Sequence, residues 1–116
     1  MVPRRPYRWV ATIVPVRVAV TGGSMRPALE AGDRLLVVPW GRTRVGAVVA
    51  ARDPRRPDRT IVKRVAEVTS GGAFVLLGDD PEASTDSRTF GPVPPALVRG
   101  RAVWRYWPPE RRGRVV

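Results

Sequence analysis

Cysteine and histidine are both absent from these 116 residues. Without cysteine, the fold has no disulfide staple and the chemistry has no thiolate. Without histidine, imidazole-based triads and the common zinc-ligand sets are excluded. Catalysis would fall to Ser, Thr, Asp, Glu, Tyr, Arg or lysine, and lysine is itself nearly missing. Lys63 stands alone among 21 basic residues, the rest being arginine. Long apolar runs are missing as well. The N-terminal stretch MVPRRPYRWVATIVPVRVAV has a basic start and an apolar middle. Its uncharged run, residues 9–16, is interrupted by Pro15 and ends at Arg17. A spanning helix needs roughly 20 apolar residues, and no small-residue cleavage site follows. Neither a membrane span nor a removed signal peptide is expected, and a strand over about residues 13–20 is.

What is present suits one folded domain. Hydrophobic residues make up 43% and charged residues 27% of the chain, ordinary values for a globular protein. The net charge of +11 is not ordinary. It suggests an anionic partner, nucleic acid or an acidic membrane surface, or else a plain compositional bias toward arginine. The stretches RLLVVPW, RVGAVVAARD, TIVKRVAEV, AFVLLGD and ALVRGRAVWRYW are rich in Val, Leu and aromatics, with Gly, Pro, Asp and Ser clusters between them. They read as strands, with DPRRPD and TSGG as hairpin loops. The best helical candidate is the turn RPALEAG, with Pro27 near its start and Gly32 at its end. The expectation is an all-β domain, a small barrel or folded sheet with one short helical turn. A basic and aromatic segment, 1–12, would precede a domain over 13–107, and 108–116 would be a disordered tail.

Lys63 sits within RTIVKRVAEV, residues 59–68. In a strand, residues two apart share a face, so Lys63 points with Ile61 and Val65 toward an apolar side. Burial there lowers an amine's pKa. The alternative is a lysine whose stem packs inside while its head reaches water. A second candidate is VTGGSMRPALEAGDRLLV. Gly22 and Gly23 let the backbone bend sharply and be approached closely, and Ser24 follows at a strand-to-turn junction. Ser24 is open to two readings, an N-cap after a Gly-Gly turn or a nucleophile whose base, with no histidine available, is a neutral lysine. A third is the polar loop LLGDDPEASTDSRTFGPVP, with Ser84, Asp86, Ser87 and Arg88 close together. It is either a hydrogen-bonded support for a site or a solvated loop with an exposed ion pair worth little.

In order and spacing, these three pieces resemble the type I signal peptidase family, the Ser/Lys-dyad proteases that remove leader segments. GGSMRPALEAGDRLLV resembles the family's nucleophile box, TIVKRV its lysine box, and GDDPEASTDSRTFGPVP its Gly-Asp-Asn…Ser-x-Asp-Ser-Arg box. The resemblance covers roughly residues 18–107. It implies Ser24 as nucleophile, Lys63 as general base and Ser84 as the hydroxyl that orients the amine. It implies a structural pair of Asp86 with Arg88, places Gly78 and Asp79 at the start of the third box, and puts Gly23 before the nucleophile, with Met25 either packed beneath the dyad or simply a core methionine. The backbone N–H of Ser24 would serve the oxyanion hole. Where some members add a serine hydroxyl, this chain has Gly22, and Asp80 and Pro81 replace the commoner Asn-Arg.

No metal or organic cofactor is implied. The expected partner is a precursor protein carrying an N-terminal leader, signal or propeptide. With no anchor read in the sequence, the chain looks like the short members, among them the proteases that mature nickel-type superoxide dismutase precursors. Its expected place is the cytoplasm or the periphery of the cytoplasmic membrane. The aromatic and basic ends PYRW and WRYWPP would either touch an anionic bilayer or cap the core. The alternative function is a non-catalytic basic barrel that binds single-stranded nucleic acid or an anionic membrane surface. No specific nucleic acid is expected, because such a binder has no use for Ser24, Lys63 and Ser84 together.

Overall fold

Short runs of Val, Leu and Ala bury a face only by pairing with one another, and here they build one antiparallel sheet. The computed structural model describes residues 14–116. Its seven strands are β1 (Val16–Ala19), β2 (Arg34–Val38), β3 (Val48–Asp53), β4 (Arg56–Val68), β5 (Phe74–Leu77), β6 (Val98–Trp107) and β7 (Gly113–Arg114). The order is β1-β2-β6-β3-β4-β5, with β7 added on β6. The all-β expectation holds, in its folded-sheet form. The sheet does not close into a barrel, because its path ends at β1 and β5 without a ladder between them.

β3 explains how an open sheet holds two cores. Val48 and Ala50 belong to one cluster with Met25, Leu29 and Leu35. Val49 and Ala51 belong to the other with Ile61, Val65 and Leu76. A strand covered on both faces reads as a continuous apolar run rather than an alternation, which is how VVAA reads. The β3–β4 hairpin is tighter than DPRRPD suggests. Asp53 pairs with Arg56, so Pro54 and Arg55 form the tip.

The expected helical turn after Ser24 is present in minimal form. Leu29 N–H donates to the Met25 carbonyl at 2.9 Å, and both side chains are buried. The turn thereby fastens the Ser24 loop to the first core. Beyond β5 lie a 3-10 turn (Pro81–Ala83) and helix α1 (Ser87–Phe90). Residues 108–116, expected as a disordered tail, instead carry a 3-10 turn (Pro109–Arg111) and β7. The Arg111 guanidinium donates to buried Asp33 at 3.0 Å, beside Arg105 at 3.2 Å. That shared carboxylate supplies what the tail's own composition lacks. The 1–12 segment, with its PYRW motif, lies outside the described residues.

Candidate active site

β4 carries Lys63 inward. Ile61, Lys63 and Val65 alternate with more exposed neighbours, and Lys63 is only 5% exposed. Burial is the largest influence on its amine and lowers its pKa. Asp86 opposes that shift, Arg59 and Arg88 add to it, and Asp53 opposes it. β4 is also longer than its outer neighbour. The β5 ladder covers Arg64 through Val68. On that side, among the described residues, residues 59–63 have no strand partner and their backbone edge is open.

The loop after β5 brings the next group. Asp86 is 1% exposed and accepts at both oxygens. Oδ2 takes the Gly78 N–H at 2.8 Å, Arg88 at 2.7 Å and the Ser84 hydroxyl at 2.6 Å. Oδ1 takes the Arg88 backbone and Nε at 3.1 and 3.0 Å. Burial, the strongest single influence, works to raise the pKa of Asp86. The hydrogen bonds from Arg88, Ser84 and Gly78 outweigh it and hold the carboxyl well below the usual carboxylate range. Asp86 is therefore ionised and cannot donate, so the hydroxyl proton of Ser84 must point at it. What remains on Ser84 Oγ is acceptor capacity, and Lys63 Nζ donates to it at 3.1 Å. Arg88, Asp86, Ser84 and Lys63 form one chain of hydrogen bonds whose donors all point toward Asp86.

The Gly-Gly turn supplies Ser24. Gly22 has φ +75°, a left-handed conformation that glycine adopts without strain. Ser24 is half-buried, and its carbonyl accepts from Asp80 N–H at 2.8 Å. That bond ties the serine loop to the Asp86 loop. Gly78 lies in the seam between them. A Cβ on it would overlap Ser84 Oγ and stand 2.6 Å from Ser84 Cβ and 2.7 Å from the Ser24 carbonyl oxygen. A cleft runs along this seam and is lined by Gly23, Ser24, Ile61, Lys63, Ala83 and Thr85 among others. Ser24 and Lys63 share the cleft without a direct hydrogen bond between them. Such a cleft offers a hydroxyl, an amine biased toward neutrality and an open strand edge in one place.

The sequence candidates fall into two groups. Ser24, Gly23 and Lys63 line the cleft, Ser84 joins it through its bond with Lys63, and Asp86 and Arg88 stand directly behind Ser84. Met25 is buried in the first core, beneath the serine turn. Asp79 turns away and binds Arg64 at 2.8 Å, while Asp80 caps the 3-10 turn through Glu82 N–H. Three charged cleft residues were not foreseen. Asp53, Arg55 and Arg59 come from DPRRPDR, which reads as a polar hairpin. A signal was available, since Asp53-x-Arg55 repeats the Asp86-x-Arg88 spacing, and Arg55 chelates Asp53 at 3.1 and 3.2 Å.

Comparison with known proteins places this geometry in context. The family model described as "Signal peptidase, peptidase S26" matches residues 8–69 and 66–107. The mitochondrial ATP-independent inner membrane protease subunit 1a of Arabidopsis thaliana is 38% identical over 120 residues, covering 81% of this chain and 71% of that protein. The mitochondrial inner membrane protease subunit 1 of Xenopus tropicalis is 34% identical over 119 residues, covering 83% and 71%. The human subunit 1 is 32% identical over 114 residues, covering 78% and 69%. These are inner membrane protease subunits, not superoxide dismutase maturation proteases. They also overturn the expected cytoplasmic or peripheral placement, since each is named for a membrane. Among the described residues, no helix is long and apolar enough to cross one.

Proposed function

This chain belongs to the signal peptidase family, peptidase S26, and from that premise we propose that it is a serine endopeptidase with a Ser24/Lys63 dyad that removes an N-terminal leader or propeptide from a precursor protein. The observation that carries the reading is the buried Lys63 amine, donating to Ser84 within the cleft that holds Ser24. A neutral amine has one lone pair. Because Ser84 gives its proton to Asp86, it accepts from Lys63 and leaves that lone pair for Ser24.

Ser24 Oγ attacks the scissile carbonyl while neutral Lys63 takes the hydroxyl proton. The Ser24 backbone N–H donates to the developing oxyanion. Lys63 then protonates the departing amine as the C–N bond breaks, leaving an acyl-enzyme. A water molecule, deprotonated by Lys63, attacks the ester, and Ser24 regains its proton as the new carboxylate leaves.

The substrate is a precursor protein. The kinship with inner membrane protease subunits favours a precursor processed at a membrane over the nickel-type superoxide dismutase precursor that the short members suggested. Membrane contact has a physical basis in β6. A register shift in its ladder with β2 pairs Trp104 with Leu36 and Trp107 with Arg34. Leu36 and Arg34 are two apart, so both tryptophans stand on one outward face, 43% and 44% exposed. The Arg34 guanidinium lies 5.2 Å from the Trp107 ring centroid. Aromatic rings beside arginine suit the headgroup region of an anionic bilayer.

Incubation with candidate precursors, followed by sequencing of the new N-termini, tests the function. One discrete new N-terminus, absent with Ser24→Ala, is expected. Intact precursors throughout would remove the peptidase reading.

A further inference from the structure

Arg59 shares the cleft-facing side of β4 with Ile61 and Lys63 and lines the same cleft as Ser24. Two other charged residues close that end, and they are already committed. Arg55 donates through Nε and a terminal nitrogen to both oxygens of Asp53, at 3.2 and 3.1 Å. Asp53 is 1% exposed and takes the Arg55 backbone N–H as well. That pair is neutral as a unit. Arg59 is exposed, and among the described residues it has no ion-paired carboxylate. It leaves an uncompensated positive charge at one end of the cleft, along the stretch where β4, paired with β3 on its other side, has no strand partner on its β5 side.

An open edge of this kind takes a peptide in extended form, by backbone hydrogen bonds, with alternate side chains facing the cleft. Both strands then advance at about 3.3 Å per residue. Arg59 is four positions from Lys63, roughly 13 Å along the strand at that rise. A peptide with its scissile carbonyl at Ser24 and Lys63 therefore presents to Arg59 a side chain about four residues away. Four is an even step, so that side chain faces the cleft as the scissile position does.

We propose that Arg59 forms a subsite for a carboxylate side chain of the precursor, about four residues from the scissile bond. The assignment rests on the peptidase reading of this cleft and adds to it a substrate class, precursors with Asp or Glu at that distance from the cut. Lysine or arginine there meets like charge and is disfavoured. Arg59 is a specificity determinant and takes no part in bond making.

A random decapeptide library, read by mass spectrometry, tests the proposal in two arms. In the first, the wild-type protein and Arg59→Glu each cleave the library. In the second, immobilised Ser24→Ala and Ser24→Ala/Arg59→Glu proteins retain peptides that are then sequenced, which needs no cleavage. Asp and Glu are expected to be enriched roughly two- to fivefold at one position three to five residues from the cut, the size of an exposed charge pair at low salt. Arg59→Glu should replace that enrichment with Lys and Arg, and 0.5 M NaCl should flatten both. Cleavage with no acidic enrichment, or with enrichment indifferent to Arg59→Glu, overturns the subsite and leaves the peptidase reading in place. No cleavage, with a retained preference that inverts in the Arg59→Glu pair, overturns the peptidase reading and keeps the subsite. No charge preference in either arm overturns the subsite.

Discussion

Ser84 donates its only proton to Asp86 at 2.6 Å and so meets Lys63 as an acceptor. The direction of that bond keeps the lysine lone pair available. Asp86→Asn tests it, because an amide can donate to Ser84 and turn the hydroxyl proton toward the amine. We expect kcat to fall by about ten- to a hundredfold, at or below the lower end of general-base contributions because the base itself remains. Asp86 also works to raise the Lys63 pKa, so its loss should move the rising limb of the pH–rate profile to lower pH. A limb that stays in place or moves to higher pH would count against this role.

Ser24→Ala should abolish cleavage while leaving the fold and melting temperature nearly unchanged. Its side chain is half-buried and makes none of the bonds that fasten the turn. Loss of a nucleophile typically costs several orders of magnitude in kcat. Residual turnover near wild type in a folded variant would displace Ser24 from the mechanism.

Lys63→Arg should be inactive, since a guanidinium does not release its proton at accessible pH. The wild-type rate should rise with pH through the lowered pKa of Lys63. Lys63→Met reads the same burial as stability. At pH below the native pKa both states hold the proton, and native Lys63 bears the full cost of its buried charge. Between the native value and about 10.4, the unfolded chain keeps a proton that the native state has released, so wild-type stability rises with pH. Lys63→Met should therefore be more stable near pH 7 by roughly 1–2 kcal/mol, with the gap narrowing toward pH 10. Melting curves across that range check the slope. A destabilised variant at every pH would contradict it.

Gly78→Ala should cost about 1–3 kcal/mol by overpacking and lose activity beyond what its stability loss explains. The added methyl must displace either Ser84 or the Ser24 carbonyl. Denaturant unfolding and a cleavage assay on the folded fraction separate the two effects. Full activity in a stable Gly78→Ala protein would mean that the seam is looser than its contacts indicate.

Trp104→Ser with Trp107→Ser should reduce sedimentation with vesicles rich in anionic lipid, with cleavage of a short soluble peptide intact. Binding that persists unchanged would move the membrane contact to another face.

Much of this was legible because local pattern and tertiary burial agree. The period-two placement of Ile61, Lys63 and Val65 announced an inward lysine, and the structure buries all three. β7 was not legible, since Gly113 and Arg114 carry no apolar signal and the tail is held by Arg111 on Asp33, a partner far away in sequence. Nor was the openness of the sheet, because closure depends on whether β1 and β5 meet, and no local preference encodes that. Arg59 was hidden in a segment rich in Pro, Asp and Arg, which reads as a turn. The turn is shorter than that composition suggests, and β4 begins at Arg56.

The uncovered edge of β4 also bears on how the protein avoids itself. Exposed edges invite strand pairing between copies, edge to edge. Here the open portion is led in by Arg56, Pro57, Asp58 and Arg59, all exposed. Proline offers no N–H to a second strand, and the three charges disfavour a matching neighbour laid alongside. Five residues, 59–63, are enough to seat one recognition segment, and with these gatekeepers at their mouth they make a poor seed for aggregation.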